Sequence, residues 1–142
     1  MNSTTGTELH TETEIDIPFF DADPMGVVWH GNYVKYFEIA RHDLLNKFNY
    51  GYIEMDKSGY HWPVVDLRLK YVKPARFGQK IRVTAILKEF ENRLKVEYAI
   101  HDSKSGERLC KGHSIQVAVD KATGEMCYES PRILLQRLGV KE

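Results

Sequence analysis

The sequence predicts an α+β domain in which an antiparallel sheet of five or six strands wraps one long central helix. Two observations carry this. Apolar residues recur at helical spacing between about Gly31 and Phe48, and the second half then switches to period-two alternation in four successive runs. The links between those runs are short and rich in turn residues, which makes the strands mostly antiparallel neighbours.

The elements follow in order. Residues 12 to 20, ETEIDIPFF, alternate as a first strand with Ile15 and Ile17 on one face. Residues 21 to 30 crowd Asp, Pro and Gly into a turn. In the helix, Tyr33, Tyr36, Phe37, Ala40, Leu44 and Phe48 form one apolar stripe, with Lys35, Glu38, Arg41 and Asn46 mostly off it. Glu38 and Arg41 are spaced as an i,i+3 pair. At 1.5 Å per residue this helix is about 27 Å long, close to the width of a five- or six-strand sheet.

The four later runs each put one apolar set on one face: Val65, Leu67, Leu69 and Tyr71; Ile81, Val83, Ala85 and Leu87; Leu94, Val96, Tyr98 and Ile100; and Ile115, Val117 and Val119. A last helix is predicted from Ser130, with Ser130 as N-cap and Pro131 at the first helical position.

The chain has 142 residues, enough for one domain, which we place at residues 12–142 after a frayed tail at 1–11. Twenty basic and twenty acidic residues give a formal net charge of zero, which argues against nucleic acid or an anionic membrane surface as the main partner. The two cysteines, Cys110 and Cys127, have neither disulfide-framework nor zinc-ligand spacing. The opening MNSTTGTELH lacks the basic and apolar regions of a secretory leader, and no apolar run approaches a membrane span. A soluble, cytoplasmic protein is the expectation.

The chemistry concentrates in DADPMGVVWHGNY, residues 21 to 33. Pro24 biases Asp23 towards extended backbone, Gly26 is free to take positive φ, and Val27 and Val28 anchor the loop in the core. The loop therefore turns Asp23 back towards the point where the helix begins. A helix N-terminus offers backbone N–H groups without intrahelical partners and a partial positive charge. Such donors hold the oxyanion that develops when a carbonyl is attacked, and a carboxylate beside them can attack or activate water. A positioned base contributes about 10²–10⁴-fold and an oxyanion donor about 10²–10³-fold, enough for an activated acyl group such as a thioester. Residue types alone leave the alternative open, since Asp before a helix is commonly a cap and D-x-D-P is common turn chemistry.

The stretch DADPMGVVWHGNYVKYFEIAR closely resembles the signature of the 4-hydroxybenzoyl-CoA thioesterase family of hotdog-fold enzymes. That signature runs Asp, two residues, Gly-Val-Val, an aromatic, His, one or two small residues, then Tyr and a Glu…Ala-Arg helix. Asp23, Gly26, Val27, Val28, Trp29, His30, Asn32, Tyr33, Glu38, Ala40 and Arg41 meet it here. The similarity is greatest to small bacterial acyl-CoA thioesterases associated with the Tol–Pal system, and it extends loosely through PVVDLRLKYVKPARFGQKIRV and VDKATGE.

The resemblance implies the hotdog fold and hydrolysis of an acyl-CoA thioester. It implies Asp23 as nucleophile or general base, and His30 at the helix start where a backbone N–H polarises the thioester carbonyl. Gly26, Val27, Val28, Trp29, Gly31 and Tyr33 are then substrate-binding. It further implies no metal, no cofactor, and a homo-oligomer (a dimer or a tetramer built as a dimer of dimers) with active sites between subunits. A Tyr common in that branch four residues before the aspartate is Phe19 here, so that hydroxyl is absent. The alternatives are a hydratase or dehydratase of the same fold, or a non-catalytic acyl-CoA-binding protein.

Other residues carry weaker signals. Asp21 reads as turn structure. GHSIQ, residues 112 to 116, lacks the second glycine of G-x-S-x-G and reads as strand. His42, His61 and His101 have no metal-ligand spacing. Lys70, Lys73, Arg76 and Lys80 form a basic cluster, either a solvated turn or a contact for coenzyme A phosphates.

Overall fold

The structure, a computed structural model, describes residues 9–139. Strand β1 (His10–Asp16) leads through a 3-10 turn (Phe19–Asp21) to helix α1 (Asn32–Asn46), a short helix α2 (Tyr52–Lys57) and strand β2 (Tyr60–His61). Strands β3 (Val64–Tyr71), β4 (Lys80–Glu89), β5 (Leu94–Asp102), β6 (Arg108–Gln116) and β7 (Val119–Asp120) follow, and α3 (Arg132–Leu138) comes last. Five strands form one antiparallel sheet in the order β1-β4-β5-β6-β3, while β2 and β7 pair separately. No helix among the described residues is long and apolar enough to cross a membrane.

The period-two pattern acts as expected on the central strands. Ile81, Val83, Ala85, Leu87, Leu94, Val96, Tyr98 and Ile100 are buried, and their alternating neighbours face out. The apolar stripe of α1 lies on this surface, with Tyr33, Tyr36, Phe37, Ala40 and Leu44 buried. Phe37 stacks on Tyr98 at 4.3 Å between ring centroids. That approach explains Gly112, because a Cβ there would lie 2.0 Å from the Arg68 carbonyl oxygen and 2.9 Å from the Phe37 ring. The helix ends at Asn46, and three residues later the chain turns at Asn49 with a positive φ of 57°.

Four expectations need correction. β1 begins at His10 and ends at Asp16, because β4 is long enough to pair His10 with Ile86, whereas residues 17 to 20 leave the sheet for the 3-10 turn. The start of the expected tail, residues 1–8, lies outside the described residues. Helix α3 starts at Arg132 with Pro131 as its N-cap; the Ser130 hydroxyl is buried and caps nothing. β6 stops at Gln116, and Val119 instead pairs with His61 across the β2–β7 ribbon. Neither that ribbon nor α2 has a period long enough to read from sequence.

The largest difference is β3. Its expected core face is exposed at Val65 (59%), Leu67 (40%) and Tyr71 (47%). β3 is an edge strand, hydrogen-bonded only to β6, and α1 packs chiefly against β1 and β4 at the other side of the sheet. The apolar pattern is real: Leu69 packs against the core and Tyr71 against Tyr33, while within one copy Val65 and Leu67 stay open to solvent.

Phe37→Ala is expected to lower unfolding free energy by about 3–5 kcal/mol, read from urea midpoints, because the cavity would open between α1 and the centre of the sheet.

Candidate active site

Residues 21 to 33 fold as a belt fastened to α1 and to the β3–β4 loop. Its fastening is Asp21, 3% exposed, whose carboxylate accepts from Lys35 Nζ at 2.6 Å and from Tyr36 Oη at 2.7 Å. Its carbonyl accepts from Trp29 N at 3.1 Å and Asn32 Nδ2 at 2.9 Å. One residue thus closes the belt on itself and pins it to the first turns of the helix. Burial alone would raise the Asp21 pKa, but the Lys35 and Tyr36 bonds outweigh it and hold the carboxyl below its ordinary value. Burial, with the bond to Asp21, pushes the Tyr36 hydroxyl well up.

Within the belt, Asp23 heads a tight turn. Its Oδ1 accepts from Met25 N at 2.9 Å and Val27 N at 3.2 Å, and Gly26 supplies the positive φ of 80°. The turn's outer side is tied down by Val28 N donating to the Ala75 carbonyl at 2.8 Å and by a bridge between Val27 and Arg76.

At the far end of the belt, α1 opens at Gly31 with no side-chain cap. Among the described residues, the backbone N–H groups of His30 and Gly31 have no acceptor. The His30 carbonyl between them accepts from Tyr71 Oη at 3.0 Å. Gly31 is glycine for a steric reason, since a Cβ there would lie 2.1 Å from the Trp29 ring. Tyr33 accepts from Ala75 N at 2.9 Å and packs its ring 5.0 Å from that of Tyr71.

These groups surround a cleft of about 350 Å³. Of the residues singled out in the sequence, Asp23, Val27, Val28, Trp29, His30, Tyr33 and Lys73 line it together. Gly26, Gly31 and Arg76 lie outside its lining: the first shapes the Asp23 turn, the second sits beneath Trp29, and the third lends its backbone to the belt. Tyr71, Val72 and Pro74 complete the wall. They come from the end of β3 and the loop beyond, 41 or more residues from His30 in sequence, and only the sheet topology brings them there. Asp21 is the other residue the sequence undersold, because its partners sit 14 and 15 positions later.

The basic cluster divides. Lys73 stays at the cleft and pairs with Glu107, Lys80 leans towards Asp16 at 3.9 Å, and Lys70 lies on the other face of the sheet. Ser114 in GHSIQ is buried and bonded to Tyr98 at 2.7 Å, as a strand residue. Glu38 and Arg41 form their i,i+3 pair at 3.6 Å. Among the described residues, no three His, Cys, Asp or Glu side chains group as a metal site.

Comparison with known proteins shows the family. Residues 17–136 match the family model described as the thioesterase-like superfamily. A Bacillus subtilis protein named "Putative acyl-CoA thioesterase YneP" is 32% identical over 112 residues, covering 78% of this chain and 80% of that one. The crystal structure of a Staphylococcus aureus DHNA-CoA thioesterase superposes with a TM-score of 0.77 at 31% identity, covering 84% of this chain and 80% of that one. A hypothetical protein from Thermus thermophilus superposes at 0.79 and 30% identity, covering 92% and 95%.

Because the folded-state pKa of Asp21 is depressed, its contribution to stability is full above the unfolded value near 4 and is lost as pH falls below it. Urea midpoints measured between neutral pH and about pH 3 should fall less steeply for Asp21→Asn than for the parent chain.

Proposed function

The chain belongs to the thioesterase-like superfamily, and we propose that it is an acyl-CoA thioesterase of the branch resembling 4-hydroxybenzoyl-CoA thioesterases and the Tol–Pal-associated enzymes, acting in the cytoplasm as a single catalytic domain. One observation carries the reading: the acceptor-free amides of His30 and Gly31 stand where α1 opens, and His30 lines the same cleft as Asp23.

In this reading the thioester carbonyl oxygen points at those two amides, and its carbon faces Asp23. Asp23 acts either as general base on a water or as nucleophile. On the first route, water adds to the carbon, Asp23 takes its proton, and the tetrahedral oxyanion rests on the amides. Collapse breaks the C–S bond, leaving carboxylic acid and coenzyme A thiol. On the second, an Asp23 oxygen adds, thiolate leaves, and water hydrolyses the anhydride. The paired N–H bonds to Oδ1 hold the carboxylate in one orientation on either route. Tyr71, through the His30 carbonyl, holds the helix opening against β3.

Two copies complete the site. The unpaired edge of β3 is self-complementary when two copies run antiparallel along it, which would cover Val65, Leu67 and Val72 and extend the sheet across both subunits. Because β3 ends beside the cleft at Tyr71, the start of β3 in one copy then lies beside the cleft of the other. A dimer, or a tetramer of two such dimers, follows.

Free-thiol release over a panel of acyl-CoA esters tests the activity. Asp23→Asn should lose at least about 10²-fold in kcat with folding intact, while near-parental turnover would remove Asp23 from the chemistry. Hydration of an enoyl thioester without thiol release, or tight binding without turnover, would assign one of the two alternative functions instead. Single turnover in ¹⁸O-water tests the nucleophilic route: label in Asp23 marks an anhydride opened by water at the aspartyl carbon. Leu67→Lys should convert the dimer to monomer in sedimentation and lower kcat with it.

A further inference from the structure

The outer face of the sheet, opposite α1, carries a charge arrangement that the thioesterase reading does not use. Strand pairing places Lys70 directly opposite Lys111 and Arg68 directly opposite His113 on the adjacent strands β3 and β6. The first of these pairs sets like charges directly opposite across strands, which destabilises a sheet. Arg108, at the start of β6, borders the same groove, which has a volume of about 460 Å³. Among the described residues, none of Arg68, Lys70, Arg108 and Lys111 makes an ion pair, although the chain as a whole balances its charges. The groove's lining holds a single carboxylate, Glu97, opposite His113 on the side of β5. Between the cations the floor is apolar, from Ile86 and Ala99.

A sheet face that tolerates opposed lysines without neutralising them is set for an anion from outside. The apolar floor fits a ligand with an uncharged body beside its charges, and two guanidinium and two ammonium groups suit adjacent phosphates. A second copy laid face to face on this groove would bring the same cations against one another. We propose that this groove is a second binding site, for a nucleotide bearing two or more phosphates, either as a free nucleotide or as the nucleotide end of a coenzyme A ester. Binding at this site does not depend on thioester hydrolysis in the cleft.

The test is calorimetric titration of the full chain with ADP, coenzyme A and adenosine, repeated with Lys70→Gln/Lys111→Gln and separately with Arg108→Gln, each checked for folding by its melting curve. ADP and coenzyme A should bind, adenosine should bind at least about tenfold more weakly, and the double variant should lose about tenfold or more for both phosphorylated probes. Binding should weaken as salt rises. If the KM for acyl-CoA rises in step with lost ADP affinity, the source is the substrate's own nucleotide; if KM holds, the source is a free nucleotide. ADP binding no tighter than adenosine, or unchanged in both variants, overturns the proposal.

Discussion

The buried carboxylate of Asp21 is the interaction on which the rest of the site depends. A charge taken out of water costs several kcal/mol unless it is paired and hydrogen-bonded, so the Asp21 carboxylate is tolerable only where Lys35 and Tyr36 reach it, while Trp29 and Asn32 hold its backbone carbonyl. That requirement selects one arrangement of the belt: the turn folded over, and the helix entering at one angle. Lys35 and Tyr36 lie one turn into α1, so the same bonds that satisfy Asp21 fix where the helix opens relative to the loop. The acid two residues further on inherits its position from this.

One departure from local optimum falls at the site. α1 begins without a side-chain cap, and Gly31 holds the N-cap position. A Ser or Asp cap would satisfy a free amide that the proposed mechanism reserves for the oxyanion. Trp29 lies over Gly31 where any larger residue would displace it. Local stability is surrendered where donors are left free, as expected when a fold serves a site.

Much of the fold was legible because hydrophobic period reports burial directly. The stripe of α1, the alternation of β4 and β5, and the turn chemistry around Asp23 and Gly26 are all local. What was not legible depends on sequence separation or on a missing partner. Asp21 looked like turn chemistry because Lys35 and Tyr36 lie 14 and 15 residues further on, beyond the belt. Tyr71, a wall of the cleft, was visible only as one member of an alternating run. The alternation of β3 was read correctly as apolar on one face, yet in one copy that face meets solvent at Val65 and Leu67. A pattern written for burial on an edge strand is information about what lies beyond the edge. The basic cluster failed for the opposite reason: Lys70 and Lys73 are neighbours in sequence but belong to different faces of the sheet.

The central claim concerns where a carbonyl oxygen sits. A crystal structure of the protein with a ketone or thioether analogue of acyl-CoA, in which the scissile bond cannot be broken, tests it most directly. The account predicts the carbonyl oxygen within about 3 Å of the His30 and Gly31 nitrogens, with the Asp23 carboxylate facing the carbonyl carbon. An analogue bound with its carbonyl away from those amides, and Asp23 turned to solvent, would contradict it.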